Sequence, residues 1–448
     1  MTDLPETISN DQPRLHRVLS LRGLFVFGLV SMAPVAAFTI YGFVSVESGG
    51  AIIPAYLLGA VAIMLTALSF AQMASVAAQA GSVYGYAKFA IGGSVGFLGG
   101  WAMLLDYILL GSLTAVYGTL YLASALTRVP EILFLMSFFA VLLWTGIRGV
   151  RLSTQFDIAV LLAQLGFCIV FIVVAVRMIG TDGVQSWASY DIFPASLTSA
   201  AIVGGASLTV VSFLGFDAIS TRAEEVKGEH PGRRVGQATL LSVVAMLVVF
   251  ILISWLLSIL ESGLSLPDPA TSAFDILAAR LPALTLPLAI ICGLALGVGA
   301  CQACHTGATR LVLAMARDGR LPILLSRVSA GFRTPIAAML VTLTMIVLVS
   351  TIALENVDLL AALVSFGALT GFLVVNLSVL VHFGFRQRSR ALLSHWIAPA
   401  LGIVVVLKIM TGISPLALKL GLAWIVAGVF IYWLHGRGGE RVQGRPAI

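Results

Sequence analysis

The chain has 448 residues, of which 59% are hydrophobic and 10% charged, and its Lys and Arg outnumber Asp and Glu by 26 to 20. Charges this sparse, gathered between long apolar runs, exclude a water-soluble globular domain and make lipid the solvent. The basic excess is scattered over several loops and forms no single stripe, so it carries no signal for a nucleic-acid partner.

In chain order, the polar residues 1–19 read as a cytoplasmic tail that is expected to be retained. The apolar run after them is too long for a signal-peptide core and has no small-residue cleavage site. Stretches able to cross ~30 Å of hydrocarbon at about 1.5 Å per helical residue follow. They lie at 24–45, 52–76, 95–126, 132–147, 154–176, 200–220, 238–260, 284–316, 336–353, 359–383, 396–410 and 416–435. The expected fold class is an all-α polytopic membrane protein of about twelve transmembrane helices.

Numbering these spans alternately places every Lys and Arg on one side except Arg128, Arg177, Arg280, Lys408 and Lys419. The opposite loops hold Glu47, Glu131, Asp182, Asp191, Glu261, Asp268, Asp275, Glu355 and Asp358. The positive-inside rule makes the basic side cytoplasmic and puts both termini there.

Within the first span, Gly28, Ser31, Ala33 and Pro34 interrupt the apolar run. Pro34 lacks the amide that would bond four residues back and clashes with the preceding turn, so the helix is expected to open near Ser31. Near the start of the third span, Gly92, Gly96 and Gly100 at four-residue spacing predict a close helix contact. Ser212, Gly215, Asp217 and Ser220 interrupt the sixth span, five spans after the first break, as a five-plus-five repeat requires. Opened backbone is tolerated in a membrane only where it lines a cavity or is buried in protein, so the two breaks are expected to share a central site. Exposed helix amides there attract an anionic group, and a cationic group seeks a carboxylate. Asp106 and Asp217 are the two acids deep in the spans, whereas Asp157 lies near a span end. Such acids are costly in lipid and should face a cavity or a partner.

Cys301, Cys304 and His305 spell C-x-x-C-H, the spacing of covalent haem attachment. They sit in an apolar, Gly- and Ala-rich stretch with Gly293, Gly297, Gly299, Ala300 and Ala303, which predicts close packing and no haem. All four cysteines, including Cys168 and Cys292, fall in apolar spans, so no disulfide framework is expected. Only His305 of the six His residues is deep in a span, an isolation that argues against metal or triad chemistry. Repeated short pore segments, the mark of a channel, do not recur. A secondary transporter with a broken helix in each half remains.

Several motifs carry a family resemblance. They are Phe213-Leu214-Gly215-Phe216-Asp217-Ala218 followed by Ala223-Glu224-Glu225, then Arg317-Asp318-Gly319 with Leu321-Pro322, and Arg333-Thr334-Pro335. Ser365-Phe366-Gly367-Ala368-Leu369, Asn376-Leu377-Ser378, Ala80-Gly81-Ser82-Val83-Tyr84 and Gly100-Trp101 with Asp106-Tyr107 add to them. In order and spacing the chain resembles the amino acid-polyamine-organocation (APC) transporter superfamily, in particular its bacterial putrescine importers, over nearly its whole length.

The resemblance implies the LeuT-like arrangement of two inverted five-helix repeats, here about 20–180 and 198–384. Two further helices at about 394–436 and a cytoplasmic tail at 437–448 complete the chain. It implies alternating access around the first and sixth spans, with a small amine or amino acid as substrate. Substrate contacts would come from Ser31, Ala33, Pro34, Thr39, Asp106, Tyr107, Phe213, Gly215, Phe216 and Asp217. Phe216 is of interest because an aromatic face can hold a cationic amine. The expected coupling ion is a proton carried by Asp217 or His305. The fifth span has no Lys to replace sodium, so sodium held by Thr306 and Thr309 stays an alternative, as does exchange in place of net import. No enzyme activity, metal or cofactor is expected, and the implied location is the bacterial inner membrane. The chain departs from the pattern at Ser31-Met32-Ala33-Pro34 and Thr39, where related carriers have a Gly-rich break and some diamine importers an acid. It departs again at Arg222, where a neutral residue is expected.

Overall fold

A computed structural model describes residues 19–77, 82–148, 151–180, 184, 186, 191–193, 197–329 and 334–443. The first predicted span is two helices, α1 (Leu21–Met32) and α2 (Ala36–Glu47), bent by 47° at the break between them. α3 (Ile52–Val76), a short α4 (Ser82–Ala90), α5 (Gly93–Ala125), α6 (Glu131–Arg148) and α7 (Arg151–Met178) follow. α8 (Ser199–Phe213) leads through Leu214, Gly215 and Phe216 into a 3-10 helix, Asp217–Glu225. Then come α9 (Pro231–Leu260), α10 (Ser272–Arg280) and α11 (Thr285–Cys292), the last joined by a π-helical segment, Gly293–Ala300, to α12 (Cys301–Arg317). α13 (Ile336–Ala353), α14 (Val357–Val379), α15 (Ala398–Met410) and α16 (Pro415–Gln443) complete the bundle.

Local chemistry sets several boundaries. The hydroxyls of Ser20 and Thr198 accept from the amides of Gly23 (3.2 Å) and Ala201 (3.1 Å) and so cap α1 and α8. Pro231 opens α9 at a position where a missing amide costs nothing. The one β-bridge among the described residues pairs Leu19 with Val226, where the Lys227 amide donates to the Leu19 carbonyl at 2.9 Å.

Among the described residues ten helices are long and apolar enough to cross a membrane, or up to eleven if the bent α1–α2 pair counts as one span. The protein is therefore a multi-pass membrane protein. The span expected at 132–147 is α6, whose apolar part, Glu131–Gly146, falls short of the ~20 residues that a crossing takes. The tail expected at 1–18, Ala80 and Gly81 of the third-span motif, Arg333 and residues 444–448 lie outside the described residues. α16 runs on through 437–443, part of the stretch expected as a tail.

α5, 33 residues long, is the central post and is buried continuously from Gly99 to Thr119. It packs against α4, α11, α12, α13, α14 and α16, while α3 packs against α8 and α9. With lipid as solvent, helices associate through close packing at small residues. Gly118 of α5 meets the backbone of Gly297, and Gly96 and Gly100 seat α5 against Lys88 and Tyr84 of α4. Gly92 instead takes a positive φ of 149° in the α4–α5 turn. α15 and α16 lie at the rim, with Leu401, Val404, Val426 and Phe430 exposed as lipid-facing side chains. α16 is held to α5 by Trp424, stacked on Trp101 at 4.5 Å, each indole donating to the other's carbonyl at 2.8 and 2.9 Å. The four cysteines are buried and free.

Candidate substrate site between two broken helices

The first break follows from Pro34. α1 ends at Met32, and Ala33 turns to a φ of 48° while its amide still donates to the carbonyls of Leu29 (3.1 Å) and Val30 (3.3 Å). The Ala36 amide then donates to the Ala33 carbonyl at 2.8 Å as α2 begins. The freed amide of Val35 finds the side-chain oxygen of Gln164, a buried residue of α7, at 3.5 Å. In this way a side chain supplies a partner that the broken helix cannot.

The second break is built on Gly215, whose φ of 107° no other residue adopts without strain. A Cβ at this position would lie 2.5 Å from the Ser31 carbonyl oxygen, so glycine also lets the two breaks touch. The Gly215 amide donates to Asp217 Oδ1 at 3.3 Å, and the other carboxylate oxygen accepts from the Tyr107 hydroxyl of α5 at 2.5 Å. Ser220 donates to the Asp217 carbonyl at 2.6 Å and meets Ser82 of α4 at 2.9 Å. Asp106, next to Tyr107, is buried, and neither of its carboxyl oxygens has a hydrogen-bond partner. Gly367 of α14 packs on its backbone, where a Cβ would come within 3.1 Å. A buried carboxyl without a partner is costly, which makes Asp106 a functional candidate.

A buried cavity of about 30 Å3 lies beside the breaks, lined among others by Ser31, Ala33, Thr39, Ser212, Leu214 and Cys304. A second, of about 10 Å3, is lined by Tyr107 with Ser82, Met103, Thr221, Gly307 and Arg310. Tyr107 and Leu110, which lines the larger cavity, are about 4.5 Å apart along α5, so the two spaces are neighbours. A water needs roughly 10–15 Å3, so the larger cavity holds about two or three and the smaller at most about one.

The structure thus brings Ser31, Ala33 and Thr39 together on the larger cavity, with Pro34 and Gly215 shaping the backbone beside it. Tyr107 and Asp217 form a bonded pair next to these. Phe213 and Phe216 line neither cavity. Phe213 packs edge-on to Tyr56 and Phe250, and Phe216 sits 5.4 Å from both Phe70 and Phe372. His305 is turned to α13, with its Nε2 3.0 Å from the Met339 carbonyl. Thr309 donates to the His305 carbonyl at 2.8 Å and meets Thr342 of α13 at 3.0 Å. Thr306 accepts from Gln302 at 3.5 Å, and Gln302 accepts from Thr145 of α6 at 2.9 Å. His305, Thr306 and Thr309 therefore bond on the α6 and α13 side of α12, and not to the first break. The Arg222 guanidinium stacks over the Phe27 ring at 4.5 Å.

Polar contacts tie the helices at both ends of the bundle. At the basic end Lys88 pairs with Asp318 at 2.6 Å, and the Tyr84 hydroxyl donates to the same carboxylate. Burial, reinforced by Asp318, raises the Tyr84 pKa above its usual value, which keeps this hydroxyl a donor. At the other end Tyr41 and Ser45 of α2 donate to Glu261 after α9. Sequence reasoning missed Gln164 and Tyr117. Gln164 is a lone amide in an apolar span, and Tyr117 continues the row Leu110, Leu113, Thr114 along one face of α5.

Membrane helices with two facing breaks beside a buried cavity have the build of a solute permease. Residues 19–437 match the amino acid permease family, and the chain belongs to it. It is 28% identical to the low-affinity putrescine importer PlaP of Escherichia coli K12 over 94% of both chains. It is 27% identical to the methylthioribose transporter of Bacillus subtilis over 96% of both. Identity to the branched-chain amino acid permease BcaP of Bacillus subtilis is 23%, over 96% of this chain and 95% of that one. These relatives are transporters, and their solutes differ enough that membership alone leaves the solute open.

Proposed function

We propose that the protein is a secondary active transporter that imports a small amine or amino acid across the bacterial inner membrane, with a proton as the coupling ion. The observation that carries this reading is the contact of the two breaks at Ser31 and Gly215 beside the buried cavity. In this reading the chain crosses the membrane twelve times, α6 included, with both termini cytoplasmic. Residues 20–180 and 198–384 are the two inverted repeats, and α15 and α16 the added pair. The substrate occupies the space beside Ser31, Ala33 and Thr39. That space is too small for such a solute as it stands, so loading parts α1 and α8 from α5, and alternating access follows from parting them at either end.

Asp217 is the proton carrier. Its carboxylate faces the Gly215 amide of the break on one oxygen and Tyr107 of α5 on the other, so a change in its charge acts on a contact between moving and central helices. Asp106, unpartnered beside it, is the second acid of this path. Proton coupling is preferred to sodium because Thr306 and Thr309 spend their bonds on Gln302, His305 and Thr342.

The test is radiolabelled uptake into proteoliposomes under an imposed pH gradient, with and without sodium, comparing putrescine with a panel of amino acids. Uptake that follows the pH gradient and ignores sodium is expected. Uptake that requires sodium would overturn the coupling, and no uptake of any solute would overturn the substrate class.

A further inference from the structure

The larger cavity contains one polar group that the reading above leaves unused. Ser31 donates to the Phe27 carbonyl (2.9 Å), Thr39 to that of Ala36 (3.0 Å) and Thr114 to that of Gly111 (3.0 Å). Ser212 is paired with the Tyr56 hydroxyl at 3.2 Å. Tyr117 also lines this cavity and is 3% exposed, yet its buried hydroxyl has no hydrogen-bond partner. Burying an O–H without an acceptor is costly, and the cost is recovered when a ligand brings one.

No residue lining this cavity is charged. An ammonium group has only donors and meets the phenol only at its oxygen, which leaves the O–H unpaired, and the acids whose charge acts on Tyr117, Asp268 and Asp358, lie outside the lining. A carboxylate has acceptors only.

We infer that Tyr117 is a specificity-determining residue of the transport site. Its hydroxyl donates to an acceptor oxygen of the solute, a carboxylate above all, and selects solutes that carry one over alkyl diamines. The inference rests on the transporter reading and narrows its substrate class.

The test is Tyr117→Phe in proteoliposomes, with KM and maximal rate measured for each solute the wild type carries. The ring stays and one oxygen goes, so the unfolding midpoint in detergent should be equal or higher; a hydroxyl with a merely structural role would lower it. The expected result is a wild type that prefers carboxylate-bearing solutes, with KM for them raised about ten- to hundredfold in the variant and maximal rate little changed. Putrescine KM should change far less than that of carboxylated solutes wherever putrescine is carried at all. Equal KM values for carboxylated solutes in the two proteins, or a wild type that prefers putrescine, would overturn the inference and leave the transporter reading intact. A wild type that carries none of the panel overturns both.

Discussion

The two breaks do the same mechanical job by different chemistry. The first is opened by an omission: Pro34 has no amide, Ala33 turns to positive φ, and the Val35 amide goes to Gln164 of a neighbouring helix. The second is opened by a glycine and closed on itself by an acid, because Asp217 accepts the Gly215 amide and keeps an oxygen for Tyr107. The first break is a fixed bend among neutral groups, whereas the second places an ionisable group at the joint. A bend is held by backbone geometry; a joint with a carboxylate can be set by its charge. In the proposed transport reading, the first break offers shape to the site and the second offers control.

The contact between the breaks is the point where this comparison is easiest to disrupt. Gly215→Ala puts a Cβ 2.5 Å from the Ser31 carbonyl oxygen at a φ of 107°, and backbone on both sides has to give. Strain of about 1–3 kcal/mol is expected from the conformation alone, with the clash added to it. Uptake should be lost and the unfolding midpoint should drop. Gly166→Ala in α7, where a Cβ would meet nothing within 4 Å, is the control and should be neutral or slightly stabilising. Wild-type behaviour from Gly215→Ala would show that the breaks do not depend on touching.

Next in size is the charge at the second break. Asp217→Asn removes one charge at nearly constant shape and is expected to abolish uptake while membrane insertion and the detergent-solubilised protein stay intact. Unchanged transport kinetics would remove Asp217 from the site and leave the second break as neutral as the first.

Tyr107→Phe should do less, because the carboxylate keeps the Gly215 amide. A hydrogen bond to a charged group is worth about 1.5–3 kcal/mol, so uptake should fall by roughly ten- to a hundredfold without being lost. A loss as complete as that of Asp217→Asn would mean that the two residues act as one unit, which the double variant would then confirm by adding nothing.

Much of this arrangement was legible in the residues. Long apolar runs mark spans because lipid demands about twenty such residues, and both breaks announced themselves as Pro34 and as Gly215 with Asp217 inside such runs. Orientation about each helix axis was not legible. In lipid the outward and inward faces are both apolar, so Phe216 gave no sign that it packs between Phe70 and Phe372, nor Thr309 that it meets Thr342. The π-helical stretch Gly293–Ala300 was equally hidden, because its wider turn answers to the packing of Gly297 against Gly118 and Phe138 and has no residue signature of its own. Tyr117 was missed for a related reason: its significance lies in its neighbouring hydroxyls being spent on helix carbonyls, a matter of hydrogen bonds and not of spacing.

Pro34→Ala tests how far the first break depends on its proline, and its effect should be the smallest. The new amide would seek the Val30 carbonyl, four residues back, which already accepts from Ala33 at 3.3 Å. To reach it Ala33 must leave its φ of 48° and the Val35 amide must leave Gln164, while Gly215 stays pressed against Ser31. Those contacts oppose a straight helix, so the bend should persist and uptake should fall no more than a few-fold. Adding Gln164→Leu withdraws the acceptor that holds Val35, and the pair of changes should then cost more than the sum of each alone. Complete loss from Pro34→Ala by itself would show the opposite: the first break rests on the missing amide, and its neighbours merely accommodate a bend they do not hold.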